Sequence, residues 1–310
     1  MAMSRLRQLR SWLAAGCLLL AGAAGAEAPL LLVTSERGGS YAEAIDALLA
    51  ELERGGIARS EVNLLNPAEF LAQPAAAPRL SIALGSAAAQ ALADSDSKAP
   101  QIYALLPRSA LDRLLAARRP GRAISAVYLD QPFSRQLDLL RLALPENKNV
   151  AVLWGPASRA LSPALGAAAA ERGLRLAGGF VERSESLYPV LQQLLGDADV
   201  LLAVAEPSIY NSNSIQNILL ASFRARVPLL AFSPAYVKAG ALLAIYSTPA
   251  QIGTQAAGLA RTVLQGRTLP APQYPAQFTI QVNQHVARSL RVNIDESALI
   301  LKLREMEHQP

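Results

Sequence analysis

The sequence predicts an α/β protein built as two doubly wound parallel-sheet lobes. Three observations predict it. Short continuous apolar runs alternate with Ala- and Leu-rich helical stretches almost throughout, as expected for parallel sheets covered on both faces. One doubly wound sheet holding all these runs would be large for a chain of 310 residues, and a split into two similar sheets is more natural, since single cores stop growing near ~250–300 residues. A polar run with breakers, Arg118-Arg119-Pro120-Gly121-Arg122, marks the best boundary, near Gly121–Ser125.

Taken in order, the chain opens with Arg5, Arg7 and Arg10 and no acid, then an apolar run from Trp12 to Ala21 and the small residues Gly22–Ala26. That pattern is a secretory signal peptide over residues 1–26, and the run is shorter than the roughly 20 residues a membrane span needs. Cys17 follows Leu13-Ala-Ala-Gly, a sequence like a lipobox. However, Ala14 is small for that motif and the apolar run continues past the cysteine, so lipid anchoring is not expected. Cleavage after Ala26 leaves no cysteine in the mature chain and a periplasmic location.

Leu30–Thr34 reads as a buried strand and Tyr41–Arg54 as an amphipathic helix stopped by Gly55-Gly56. Glu61–Leu65, Leu80–Leu84 and Ile102–Leu106 read as strands, with Ser86–Ala93 as a helix among them. The alternation continues with strands at Ala123–Leu129, Val150–Trp154, Leu174–Val181, Val200–Val204 and Val227–Phe232. Between them lie helices at Phe133–Leu144, Ser158–Arg172, Ser186–Leu195 and Ser214–Arg226. After the helix Gln251–Leu264, the Pro-rich stretch Leu269–Pro275 and the extended run Gln277–Val282 read as a connector returning across the molecule. The first lobe is expected over 27–125 plus 248–278, and the second over 126–247 plus 279–310.

Composition excludes several classes. With 52% apolar and 17% charged residues, the chain is globular rather than disordered. Removing the three signal-peptide arginines takes the net charge from +5 to +2, and no basic stripe interleaves with aromatics, so nucleic acid is not an expected partner. The two histidines, His285 and His308, both lie in the C-terminal tail without metal-ligand spacing. There is no Gly-x-Ser-x-Gly elbow and no GxGxxG after the first strand. An enzyme, a metal and a cofactor are therefore not expected.

The stretch Leu229-Leu-Ala-Phe-Ser-Pro-Ala-Tyr-Val-Lys-Ala-Gly240, the run Ala241–Tyr246 and the helix Gln251-Ile-Gly-Thr-Gln-Ala-Ala257 ending in Leu264-Gln-Gly266 resemble the tryptophan- and tyrosine-type ABC transporter substrate-binding family. Ala83–Leu92, Gln136–Pro145 and Val282-Asn283 add to the resemblance, which covers roughly the whole mature chain. It implies the type I periplasmic-binding (Venus-flytrap) architecture, with crossings near Ala123–Asp130, Tyr246–Pro249 and Gln273–Val282. It also implies a small-molecule ligand captured by lobe closure, an inner-membrane ABC permease as partner, and a monomer. A periplasmic sensor of the same fold, coupled to a signalling domain, is the alternative. Two loops depart from the family: Leu106-Pro107-Arg108-Ser109 stands where an acidic Thr-Asp-Pro is usual, and Ala205–Asn211 replaces a Pro-Thr-Asp-Asn-like loop.

Ligands of such sheets sit beyond the carboxyl ends of the strands. That rule selects Ser35, Arg37, Gly39, Ser40, Gly85 and Ser86 in the first lobe. In the second it selects Trp154, Glu206, Ser208, Tyr210, Ser233, Tyr236 and Tyr246. Each also has a plain structural reading. Gly38-Gly39 turns the chain with Ser40 as a helix cap, Ser86 is an N-cap, Trp154 and Tyr246 are hinge or core aromatics, and Glu206 is a solvated loop carboxylate rather than the partner of a ligand amine.

Overall fold

The computed structural model describes residues 30–72, 78–116, 121–183 and 186–307. The expected signal peptide, Cys17 and part of the Arg118–Arg122 boundary run lie outside them. Two sheets form. The first holds β1 (Leu30–Thr34), β2 (Val62–Leu65), β3 (Ser81–Leu84), β4 (Gln101–Leu106) and β5 (Ile124–Tyr128), in the order β2-β1-β3-β4-β5 and all parallel. The second holds β6 (Asn149–Trp154), β7 (Arg175–Phe180), β8 (Val200–Leu202), β9 (Leu229–Ala231), β10 (Leu243–Tyr246) and β11 (Thr279–Val282), in the order β11-β10-β9-β8-β6-β7. Only β11 runs antiparallel, against β10.

The apolar runs are continuous because both faces of each sheet are covered. Leu30 and Leu32 pack beneath the helices Gly39–Arg54 and Pro249–Leu264, while Leu31 and Val33 pack with Ala88 and Leu92 of the helix Ser86–Asp94. The strand period of two sends neighbouring side chains to opposite faces. β7 departs from the expectation of a buried strand: Arg175, Ala177, Gly178 and Phe180 are exposed, because it is the sheet edge.

The helix Pro249–Leu264 follows β10 of the second sheet but lies on the first. Its contact with the helix Gly39–Arg54 is close at Gly253, where a Cβ would sit 2.2 Å from the Ala44 carbonyl oxygen. Capping is strong at its start: the Thr248 hydroxyl accepts the Gln251 N–H and the Gln251 side chain accepts the Thr248 N–H.

The tail is more structured than a connector. Gln273 brackets β5, its N–H donating to the Ala126 carbonyl at 2.9 Å and its carbonyl accepting from Tyr128 N–H at 3.0 Å. Beyond β11 come two helices not read from the sequence, Gln284–Ser289 and Glu296–Glu307; the second buries Leu299 and Leu303 in the core of the second sheet. The region read as one helix from Ser158 splits into a 3-10 turn at Arg159–Leu161 and a helix at Ser162–Ala170, because Pro163 favours the first turn of a new helix.

The chain passes between the sheets three times: after β5, after β10, and between Gln273 and β11. Hydrogen bonds tie the three passages together. The Gln131 amide donates to the Ser247 hydroxyl at 2.9 Å, and that hydroxyl donates to the Gln277 carbonyl at 2.5 Å. Buried Arg135 donates to the Gln131 side-chain oxygen (2.7 Å) and the Pro275 carbonyl (2.8 Å). It also forms a two-point ion pair with Glu307 on the last helix, and its guanidinium stacks 4.7 Å from the Phe278 ring centre.

Candidate functional site

A cleft of about 740 Å³ opens between the two sheets, walled by both lobes and floored by the first passage. The carboxyl ends of the strands point into it, as the doubly wound arrangement requires.

From the first lobe, three helices begin at the cleft: Gly39–Arg54 with Ser40 and Tyr41, Ser86–Asp94 with Ser86, and Arg108–Ala116 with Arg108, Ser109 and Arg113. The last of these was missed in the sequence, and its entry is unusual. Leu105 takes a positive φ of 57° at a register shift between β4 and β5, a bulge conformation uncommon for a non-glycine residue. The bulge turns the chain so that Leu105 and Pro107–Ala110 line the cleft. Arg108 then lies between two tyrosine rings, 5.9 Å from Tyr128 and 6.0 Å from Tyr274, and donates to the Tyr274 hydroxyl at 2.9 Å. That hydrogen bond holds its pKa above the ordinary arginine value. Its Nε reaches Asp112 at 3.4 Å, and its Nη2 has no hydrogen-bond partner among the described residues.

Asp130, on the first passage, accepts the Arg108 backbone N–H and so caps that helix. Burial pushes its carboxyl above the usual aspartate value, although the Arg108 N–H works in the opposite direction.

The second-lobe wall is mostly apolar: Leu161, Val204, Phe232 and Ile245 line it with Tyr210 and Tyr246. Phe232 packs edge-on against Tyr236 (5.2 Å) and Tyr210 (6.0 Å). The Tyr210 hydroxyl is fully buried without a partner among the described residues, and burial raises its pKa strongly.

Glu206 is neither solvated nor available to a ligand amine. It is 2% exposed, and its two carboxylate oxygens accept five hydrogen bonds. One oxygen takes the N–H groups of Ala157 and Ser158 at 2.9 Å each and the Ser158 hydroxyl at 2.8 Å. The other takes the Ser208 N–H at 3.3 Å and hydroxyl at 2.7 Å. Gly155 makes room, since a Cβ there would meet the carboxylate carbon at 2.5 Å. Glu206 therefore pins the loop after β6 to the loop after β8. From that pinned loop the Ala157 carbonyl accepts a hydrogen bond from Arg113 of the opposite lobe at 3.2 Å.

Of the residues selected from the sequence, Ser40, Ser86, Glu206, Tyr210, Ser233 and Tyr246 line the cleft; the other seven do not. Ser35 accepts the Ala88 N–H at 3.0 Å and serves as the side-chain cap of the helix Ser86–Asp94, so Ser86 is its first residue and not its cap. Likewise Gly38, not Ser40, occupies the cap position of the preceding helix. Arg37 is spent on an exposed ion pair with Glu69 at 2.6 Å. Gly39 starts its helix at a φ of 55°. Gly85, with φ 84°, is needed because a Cβ would lie 2.5 Å from the Tyr41 hydroxyl. Trp154 is fully buried in the core of the second lobe beside Gly178 of β7. Ser208 serves Glu206, and the Tyr236 hydroxyl donates to the Tyr210 carbonyl at 3.0 Å. Tyr41, Arg108, Arg113 and Tyr274 line the cleft and were not selected; the strand-end rule itself, applied after β4, points to Arg108.

Among the described residues no group of His, Cys, Asp and Glu could hold a metal ion, and no helix is long and apolar enough to cross a membrane.

Comparison with curated protein sequences gives no match. Solved structures share the fold. A ligand-free, open substrate-binding protein with adhesive properties from Clostridium difficile has a TM-score of 0.72 at 16% identity, covering 88% of this chain and 97% of the other. An ABC domain in complex with L-Trp from Streptococcus pneumonia has a TM-score of 0.63 at 17% identity, with 89% and 98% covered. A conserved domain protein from Vibrio cholerae has a TM-score of 0.63 at 19% identity, with 88% and 97% covered. The family described as ABC transporter substrate binding protein matches residues 63–305. Two parallel-sheet lobes joined by three passages fit that match, and the chain belongs to the ABC transporter substrate-binding protein family, whose members are substrate-binding proteins and not enzymes.

Proposed function

We propose that this protein is the periplasmic solute-binding component of an ABC transporter, exported by residues 1–26 and capturing a small polar or amino-acid-like molecule by lobe closure. The observation that carries the reading is the 740 Å³ cleft walled by both lobes at the strand ends. A ligand there touches Ser40 and Ser86 on one side and Tyr210, Ser233 and Tyr246 on the other. Contacts to both walls favour the closed form over the open one, and a permease that recognises the closed form needs no further signal. The L-Trp complex of the Streptococcus structure supports a ligand with an apolar body and a polar end, as the division between the two walls does.

The test is a thermal-shift screen of protein purified from a periplasmic extract, against amino acids, nucleobases, sugars and small carboxylates. Intact mass of the same sample reads cleavage after Ala26. A ligand at a hundred times its Kd adds about 2.7 kcal/mol of stability, an upward shift of several degrees. No shift with any class of compound would overturn the proposal.

A further inference from the structure

The two walls of the cleft differ in charge, and the difference bears on the ligand. The first-lobe wall carries two guanidinium groups, Arg108 and Arg113, and no carboxylate among its described lining residues. It also carries the starts of the three helices named above, of 16, 9 and 9 residues. Their first N–H groups and the positive ends of their dipoles face the same space. Gly38 offers no side-chain acceptor at the first of these helices, while Ser35 and Asp130 each take one N–H at the other two.

Two acids border the cleft, one saturated and one set against Arg108. Glu206 accepts five hydrogen bonds from its own lobe, against roughly four lone-pair sites on a carboxylate. Asp130 caps the helix Arg108–Ala116 and stands against its first residue. An ammonium group entering the cleft thus meets two arginines, a saturated Glu206, and at Asp130 a carboxylate that already lies in the field of Arg108. A carboxylate meets Arg108, whose planar fork keeps unpartnered N–H groups after its bonds to Tyr274 and Asp112. The rings beside Arg108 hold it in place, since Tyr128 and Tyr274 pack edge-on at 5.2 Å. The opposite wall supplies an apolar surface that includes Tyr210, Phe232 and Ile245.

We infer that the cleft takes an aryl or alkyl carboxylate whose anion sits at Arg108 on the first lobe and whose apolar body lies on the second, with no requirement for an α-amino group. The inference rests on the proposed binding function and narrows its substrate class.

The experiment uses two matched sets, titrated calorimetrically into the full mature protein: L-phenylalanine, 3-phenylpropanoate and phenethylamine, and L-tryptophan, indole-3-propionate and tryptamine. Within each set the ring is constant while the amine or the carboxylate is removed. The carboxylate without an amine is expected to bind at least as tightly as the amino acid, and the amine without a carboxylate at least tenfold more weakly. Arg108→Gln should weaken carboxylate binding about tenfold to a hundredfold, the range for a charge-assisted hydrogen bond, and leave any amine binding unchanged. If Arg108→Gln fails to fold, Arg113→Gln should give a smaller loss, since Arg113 lies on the same wall. The inference is overturned if the amino acid binds tenfold more tightly than its deaminated partner. It is overturned equally if the amine binds as well as the carboxylate, or if neither arginine variant changes carboxylate affinity. Shifts with sugars or nucleobases in the screen, and none with the six probes, would also overturn it and leave the binding function standing. Silence from every class would remove both.

Discussion

Glu206 shows how a single charged side chain organises a loop pair. Its five acceptor contacts replace the water that an ionised carboxylate would otherwise keep, which makes its burial tolerable. Glu206→Gln would keep the size but place an amide N–H₂ among these donors, so at least one contact, that with the Ser208 N–H or with those of Ala157 and Ser158, would become donor against donor. The expected result is a loss of about 1–3 kcal/mol in stability, measured as a lower Tm of the ligand-free protein. Binding should weaken with it, because the Ala157 carbonyl that receives Arg113 moves with the pinned loop. An unchanged Tm would mean the loops are held by something other than this carboxylate. Tyr210 is the opposite case. Its hydroxyl is buried without a partner among the described residues, and a group like that costs stability wherever nothing satisfies it.

At the scale of elements, the contact between the helices Gly39–Arg54 and Pro249–Leu264 fixes the first lobe. The second helix arrives from the other sheet, and its Gly253 brings it within backbone distance of Ala44. Gly253→Ala raises helix propensity by roughly 1 kcal/mol, yet its methyl would overlap backbone atoms that no rotamer change can clear. Separating the helices should dominate, with a net loss of about 1–3 kcal/mol, read as a lower midpoint of urea unfolding. A stabilised variant would show that the helices can part without consequence. The helix Arg108–Ala116 illustrates a different point. Its sequence is amphipathic but the helix is only nine residues long and fully buries one side chain, Leu111, although it supplies Arg108 and Arg113.

Across the whole molecule, Gln131, Ser247 and Arg135 bond the three passages to each other, so the proposed lobe closure would have to bend them as one hinge. Arg135 is 7% exposed and its ion pair with Glu307 fastens the last helix to the same point. Arg135→Ala leaves the Glu307 carboxylate, the Gln131 side-chain oxygen and the Pro275 carbonyl without their donor. Glu307 is itself exposed, so the cost comes chiefly from the two buried acceptors left unsatisfied, about 1–3 kcal/mol each, and a clear drop in Tm is expected. Glu307→Gln keeps a hydrogen bond and should cost less. Scattering from the ligand-free Glu307→Gln protein should show a wider spread of interlobe angles than wild type. Identical scattering would place the control of the hinge elsewhere.

Much was settled by the sequence alone. The alternation of apolar runs and helices determined a parallel α/β architecture, because a strand buried on both faces has to be apolar along its length. The strand-end rule reached Ser40, Ser86, Ser233 and Tyr246, since backbone direction alone fixes which loops face the cleft. Other features came only with the tertiary structure. Trp154 follows the same rule as those serines, yet strand alternation and the neighbouring β7 turn it into the core. Glu206 finds its donors about fifty residues away, at Ala157 and Ser158, and no local pattern encodes a partner at that distance. Arg108 reaches the cleft through the bulge at Leu105 and is held by Tyr274, 166 positions further along the chain. Sequence periodicity records which face of an element is buried. Which side chains meet across a cleft depends on how the chain returns to it, and here it returns three times.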